Sequence, residues 1–204
     1  MSQSHLDPFY PIFDSYVWLQ RVIPLGVKLV QLRIKDESDE SVRQQIANSR
    51  ALCEKYGCQL IVNDYWQQAI DLGCDYVHLG QEDLDEADMT SIRKAHIRVG
   101  ISTHSDEELD RALSYSPDYV ALGPVYPTIL KKMPWAPQGL EKLGVWKKAV
   151  GDIPLIGIGG LSLERAPGVF DAGADVVSVV TDITLHEDPE SQVTRWIDAT
   201  ACYR

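Results

Sequence analysis

The chain has 204 residues, enough for one domain with a sizeable core and short for two. Hydrophobic content of 45% and charged content of 24% are ordinary globular values. A net charge of −11 argues against nucleic acid or an anionic membrane as the main partner, so any anionic ligand must be held by local groups or a metal ion.

Short, nearly continuously apolar runs alternate with helical patterns along the chain. Phe9–Phe13 is the first run, and Tyr16–Leu25 fits a helix after it. Lys28–Arg33 is followed by Val42, Ile46, Cys53 and Tyr56, one stripe at helical spacing. Gln59–Asn63 precedes a helix over Tyr65–Leu72, and Tyr76–Leu79 precedes one over Asp88–Ala95. After Arg98–Ser102, the segment Ser105-Asp-Glu-Glu108 is a capping box, with Leu109, Ala112 and Leu113 facing inward. Tyr119–Leu122 leads, through a long proline-rich stretch, to a helix over Leu140–Val150. Leu155–Ile158 is followed by a helix starting at Ser162, which Pro167 should distort beyond its first turn. Val176–Val180 is the last run. Asp188-Pro189 then supplies an N-cap and first position for a final helix with Val193, Trp196 and Ile197 on its apolar face.

Apolar runs this short and continuous are expected for parallel strands buried on both faces. Three connections also share a cadence: Asp71-Leu-Gly-Cys-Asp75, Ser114-Tyr-Ser-Pro-Asp118 and Asp171-Ala-Gly-Ala-Asp175 each return the chain to a strand. Eight strands, each followed by a helix, predict a single (β/α)8 TIM barrel domain over residues 1–204. A doubly wound open sheet is the alternative. The barrel is preferred because eight units fill the chain with almost nothing left over.

The cysteines, Cys53, Cys58, Cys74 and Cys202, form no Cys-x-x-Cys pair. Neither a zinc site nor a disulfide framework is read from them, and reduced thiols fit a cytosol. No basic-then-apolar leader opens the chain, and no apolar run approaches ~18 residues. A cytoplasmic protein is therefore expected. Trp18, Trp146 and Trp196 either pack in the core, the preferred reading, or mark the face of a homodimer.

A barrel places its chemistry at the carboxyl ends of its strands, so those positions are the informative ones. The second strand ends in Gln31-Leu-Arg33-Ile-Lys35, whose alternating residues share a face; two cations there require an anion nearby. The third ends in Asn63-Asp64 and the fourth in His78-Leu-Gly-Gln-Glu-Asp83. Asp64 and Asp83 thus come from adjacent strand ends. Neighbouring carboxylates repel unless a cation lies between them, and Mg²⁺ with substrate phosphate would suit. Helix N-capping is the competing use of both. His78 reads as a core histidine.

The fifth strand ends in Ser102-Thr103-His104. After the sixth, prolines 124, 127, 134 and 137 forbid a helix until Gly139. Connections after a strand usually take ~2–6 residues, and much longer ones tend to carry function. This one presents Thr128, Lys131 and Lys132, cations set against the overall charge. Gly159-Gly160 after the seventh strand and Thr181 after the eighth match the phosphate cup that barrels build there. The mouth therefore divides into a diphosphate-and-metal side (Arg33, Lys35, Asn63, Asp64, Asp83, Lys131) and a monophosphate side (Gly160, Thr181 and Thr128).

These segments together, with Gly100-Ile-Ser-Thr-His104, Ala121-Leu-Gly-Pro-Val-Tyr-Pro-Thr128 and Ala136-Pro-Gln-Gly139, resemble the thiamine-phosphate synthase family, in order and over nearly the whole chain. The resemblance implies an enzyme joining a pyrimidine diphosphate to a thiazole phosphate, with release of pyrophosphate. It assigns Gln31, Arg33, Lys35, Asn63, Ser102 and Lys131 to the pyrimidine diphosphate. Asp64 and Asp83 fall to Mg²⁺, and Thr128, Gly160, Val180 and Thr181 to the thiazole phosphate. Arg33, Lys35, Lys131 and Ser102 would carry the catalysis. Two departures stand out: Leu130 replaces a second threonine common in the family, and Thr181-Asp182 replaces Ser-Ala, adding a charge near a phosphate unless Asp182 points away. A thiazole tautomerase and a non-catalytic phosphate-binding protein are the competing readings; neither needs the full diphosphate-and-metal set.

Overall fold

The computed structural model describes residues 6–128 and 136–204. Its parallel strands pair in sequence order, and the eighth closes on the first. They are β1 (Phe9–Phe13), β2 (Leu29–Leu32), β3 (Gln59–Asn63), β4 (Tyr76–Leu79), β5 (Arg98–Thr103), β6 (Tyr119–Leu122), β7 (Leu155–Ile158) and β8 (Val176–Val179). Their near-continuous apolar character follows from the closure. One set of side chains fills the barrel, the alternate set meets the helices, and neither face sees water.

The helices are α1 (Tyr16–Val22), α2 (Asp39–Tyr56), α3 (Trp66–Asp71), α4 (Asp83–Glu86), α5 (Met89–Lys94), α6 (Asp106–Ser114), α7 (Gly139–Val150), α8 (Ala166–Asp171), α9 (Thr181–Thr184) and α10 (Pro189–Thr200). This is the predicted (β/α)8 barrel, and the open sheet is excluded by the β1–β8 pairing. The short α4 and α9 were not predicted; each is a single turn at the barrel mouth, too short to leave a periodic signal.

Other differences have local causes. The first helix loses its α form after Val22, and Ile23–Leu25 continues as a 3₁₀ turn containing Pro24. Ser162 does not start a helix. Its carbonyl accepts from the N–H groups of Arg165 and Ala166 in a turn, and α8 begins at Ala166, which puts Pro167 in the first turn, where its missing N–H costs nothing. Ser105 caps α6 as expected, but the Glu108 carboxylate reaches the N–H of His104, not that of Ser105.

The recurring aspartates have a structural use that the cadence alone did not reveal. Asp118, before β6, accepts from the Val99 N–H of β5 at 2.7 Å and from Arg93 at 2.6 Å. Asp175, before β8, accepts from the Leu155 N–H of β7 at 2.7 Å and from Lys147 at 2.8 Å. Each carboxylate thus satisfies a donor near the start of a neighbouring strand at the floor of the barrel. The third residue of each echo bends the chain with φ of 65° at Gly73, 52° at Ser116 and 110° at Gly173. Glycine suits that conformation at two of the three positions.

Trp146 and Trp196 are fully buried in the shell between strands and helices, and Trp18 packs against that shell and stacks on Phe13. The core reading of the tryptophans therefore holds. Cys53, Cys58 and Cys74 are buried and Cys202 is exposed; all are free thiols. No helix among the described residues is long and apolar enough to cross a membrane.

Inside the barrel lies a separate cluster: Tyr10, Leu29, Ile61, Tyr76, Tyr119, Ile156 and Val176. Three tyrosines in a barrel interior carry hydroxyls that must find partners. The partners of Tyr10 and Tyr119 lead upward to the mouth.

Candidate active site

The second strand ends at Leu32, but the Arg33 N–H still donates to the Phe13 carbonyl of β1 at 2.8 Å, so Gln31 and Arg33 are both tied to the sheet and Lys35 belongs to the loop that follows. The side chains still converge. Lys35 donates to the Asp64 carboxylate. Arg33 and Asp64 both act electrostatically on His78. Asp64 sits immediately after β3 with φ of 66°, a left-handed conformation uncommon outside glycine, asparagine and aspartate. Its N–H donates to the His78 carbonyl at 3.0 Å, which ties the ends of β3 and β4 together.

Neither aspartate caps a helix through its side chain. The N-cap positions of α3 and α4 are Tyr65 and Glu82, both without side-chain caps. Asp83 instead turns back to accept from the Gly80 N–H at 2.7 Å. A side chain on Gly80 would crowd it, since a Cβ there would lie 2.9 Å from the Asp83 carboxylate. Burial, and next the adjacent Asp64 carboxylate, raise the Asp83 pKa above the ordinary aspartate value. Two acids that repel each other, with Lys35 beside them, form a site short of positive charge. Asn63, at the end of β3, is buried next to this pair in sequence.

His78 is buried in β4, as expected for a core histidine, yet both ring nitrogens are used. Nδ1 lies 2.7 Å from the Tyr119 hydroxyl and Nε2 2.6 Å from Ser102 Oγ. Burial pushes its pKa down to about 4, so the ring is neutral near pH 7. The backbone carbonyl of Ser102 accepts from the Gln81 amide at 2.8 Å, which holds the end of β5 against the β4 loop.

On the opposite side, the loops after β6 and β7 are laced together. Val125 N–H donates to the Ile158 carbonyl at 2.8 Å, and Tyr126 N–H to the Gly159 carbonyl at 3.0 Å. Gly160 has φ of 65°, and a Cβ there would lie 2.4 Å from the Pro127 carbonyl. The far end of the long loop returns to its start through Gln138 N–H to Pro124 carbonyl at 2.7 Å. Thr128 lies at the edge of the described part of this loop, while Lys131, Lys132 and Leu130 lie outside the described residues. Val180 precedes α9, whose first residue is Thr181, so both stand where β8 meets the mouth.

Asp182 points away from this cup. Its carboxylate accepts from Gln192 Nε2 and from Trp196 Nε1 of α10, each at 2.7 Å. Its charge is spent on packing the last helix. Asp182→Ala is expected to leave a buried indole N–H without a partner and lower the unfolding free energy by about 1–3 kcal/mol, read as a shift in urea midpoint. Asp182→Asn, which keeps an acceptor, should lose less.

Sequence reasoning misses Tyr10 and Tyr119. The tyrosines sit in apolar strands and look like ordinary core. Only the inward register of β1 and β6 brings their hydroxyls together.

A closed parallel barrel whose strand ends collect cations, acids and a glycine-lined turn defines an enzyme of the (β/α)8 class. A family model described as thiamine monophosphate synthase matches residues 10–183. The chain is 57% identical over 199 residues to the thiamine-phosphate synthase of Rhizobium etli, covering 98% of each chain. It is 49% identical over 192 residues to that of an Enterobacter species, covering 94% of this chain and 88% of the relative. Among solved structures, thiamine phosphate pyrophosphorylase from Pyrococcus furiosus superposes with a TM-score of 0.85 at 25% identity, covering 97% of this chain and 96% of the other. The chain belongs to the thiamine monophosphate synthase family, a family of transferases in thiamine biosynthesis.

Proposed function

We propose that this protein joins hydroxymethylpyrimidine diphosphate to hydroxyethylthiazole phosphate, releasing pyrophosphate and forming thiamine phosphate. The observation that carries the reading is the meeting of Lys35, Asp64 and Asp83 at the ends of β2, β3 and β4 in a chain of this family. Two adjacent carboxylates fit Mg²⁺, which is commonly held by one or two acids together with substrate phosphate. Asp64 and Asp83 would hold it, and bound there it would neutralise charge on the diphosphate.

The C–O bond between the pyrimidine methylene and the diphosphate breaks, and its electron pair leaves with pyrophosphate. Arg33, Lys35 and Lys131 stabilise that departing charge, while Gln31, Asn63 and Ser102 position the pyrimidine diphosphate. The resulting pyrimidine-methyl cation is captured by the thiazole nitrogen, whose lone pair forms the new C–N bond. Thr128, Gly160, Val180 and Thr181 hold the thiazole phosphate so that this nitrogen faces the cation. Holding both partners in line removes orientational entropy from the bond-forming step, an effect with a ceiling of ~7–11 kcal/mol. No protein nucleophile is required. Residues 1–204 act as one domain, and a cytoplasmic location fits the free thiols.

Pyrophosphate release with both substrates and Mg²⁺ tests the reading, and no release at any metal concentration would reject it. Asp83→Asn keeps the acceptor for Gly80 but loses the charge. It should raise the Mg²⁺ concentration for half-maximal rate by about tenfold or more, since even groups outside a coordination shell have effects of that size. An unchanged metal titration would remove Asp83 from the site.

A further inference from the structure

A continuous chain of hydrogen bonds runs from the barrel interior to the mouth. Gln31 Nε2 donates to the Tyr10 hydroxyl at 2.7 Å. Tyr10 and Tyr119 hydroxyls are 3.0 Å apart, and Tyr119 lies 2.7 Å from His78 Nδ1. His78 Nε2 ends the chain 2.6 Å from Ser102 Oγ. Gln31, Tyr10, Tyr119 and His78 are all buried, so none can exchange its partner for bulk water.

We propose that Tyr119 is a positioning residue which, through a one-way hydrogen-bond chain, locks His78 as the Nε2–H tautomer and leaves the Ser102 hydroxyl proton free to bind substrate. This rests on the synthase reading for the identity of the substrate, but the proton count stands without it. Each hydroxyl in the chain has one proton to give. Among the described residues the Tyr10 oxygen has two partners, Gln31 and Tyr119. Because Gln31 donates to it, Tyr10 can place its own proton only on Tyr119. Tyr119 must then give its proton to His78 Nδ1. That nitrogen is therefore an acceptor, and the ring proton resides on Nε2, where it is donated to Ser102 Oγ. The serine oxygen is already accepting, so its proton points to the open mouth. A pyrimidine ring nitrogen carries an in-plane lone pair and is the kind of acceptor such a hydroxyl fits.

The opposite sense fails by the same count. Were Ser102 to donate to His78, the chain would run inward and deliver two protons to the Tyr10 oxygen, leaving the Tyr10 proton buried without an acceptor. A buried unpaired donor is expensive relative to any other arrangement here. Turning the Gln31 amide over would let it accept the Tyr10 proton and allow either sense, so this one side chain, 2% exposed, fixes the direction of all the others.

Nitrogen-15 NMR of the histidine-labelled, substrate-free enzyme at neutral pH reads the tautomer directly. Wild type should show the Nε2–H form at His78. Tyr119→Phe keeps the ring but removes the hydroxyl, and should give a mixture of both tautomers. Its KM for the pyrimidine diphosphate should rise about tenfold, the scale of one lost hydrogen bond, with a smaller change in kcat. Tyr10→Phe should keep the Nε2–H form, because the Tyr119 proton still has only His78 to receive it. An Nδ1–H ring in wild type, or an unchanged tautomer in a folded Tyr119→Phe, overturns the proposal. Absence of turnover in wild type would overturn the synthase reading alone, and the spectra would still decide the chain.

Discussion

Asp64→Asn is expected to lower kcat/KM for pyrophosphate release by about 10²–10³-fold, the loss seen when one preorganised electrostatic partner of a developing charge is removed. The substitution takes away one of two adjacent acids and the counter-charge of Lys35. Folding should barely change. Asparagine adopts the left-handed conformation that Asp64 holds at φ of 66° about as readily as aspartate. The Lys35–Asp64 pair is partly exposed, with side-chain exposures of 46% and 22%, and such pairs contribute at most ~1 kcal/mol. Relief of repulsion with Asp83 offsets part of that. Asp64→Ala is a poorer test, because alanine pays ~1–2 kcal/mol for the backbone conformation and mixes stability with function. The check is steady-state pyrophosphate release beside a thermal melt. A near-normal rate in a stable Asp64→Asn enzyme would take Asp64 out of the proposed site.

Gly100→Ala should have the largest effect on stability of any single methyl group added to this chain. Gly100 lies on β5 beneath the ring of Tyr119, and a Cβ would fall 1.9 Å from Cζ and 2.2 Å from Cε1. The ring cannot swing aside. Tyr10 packs against it edge-on at 6.1 Å between centroids, and Tyr76 lies 5.6 Å away. Overpacking of a filled core costs about 1–3 kcal/mol and sometimes more, and a fully enclosed aromatic neighbour puts this site at the upper end. Urea unfolding should show a midpoint shift of that size. Removing the ring as well, in Gly100→Ala with Tyr119→Val, should recover part of the loss. Full wild-type stability in the single variant would mean that the barrel interior is looser than its geometry implies.

Much of the architecture was legible because closure imposes a strict demand on each strand. Both faces are buried, so Tyr119–Leu122 and Leu155–Ile158 are apolar throughout, and Tyr76–Leu79 is apolar apart from the buried His78. Helix limits were less legible where proline intervened. Pro167 sits in the first turn of α8, so the helix starts one residue before it at Ala166, not at Ser162. Of the candidate site, the strand-end residues Gln31, Asn63, Asp64, Asp83 and Ser102 could be named from position alone, because a barrel brings strand ends to one rim. The roles of Tyr10 and Tyr119 could not. Their side chains are amphipathic, and 109 residues separate the two hydroxyls that meet at 3.0 Å.

The pattern of residues along the chain determined the number and order of the strands, their burial on both faces, and which polar groups stand at their ends. Those are local properties, set by the period of the backbone and by the exclusion of charge from a doubly covered sheet. Tertiary structure alone decided that Asp182 turns to α10, that the repeated aspartates latch neighbouring strands, and that Gln31, two tyrosines and His78 form one hydrogen-bonded chain. Each of these depends on register across the closed sheet or on packing between distant elements, and side-chain periodicity carries no information about either.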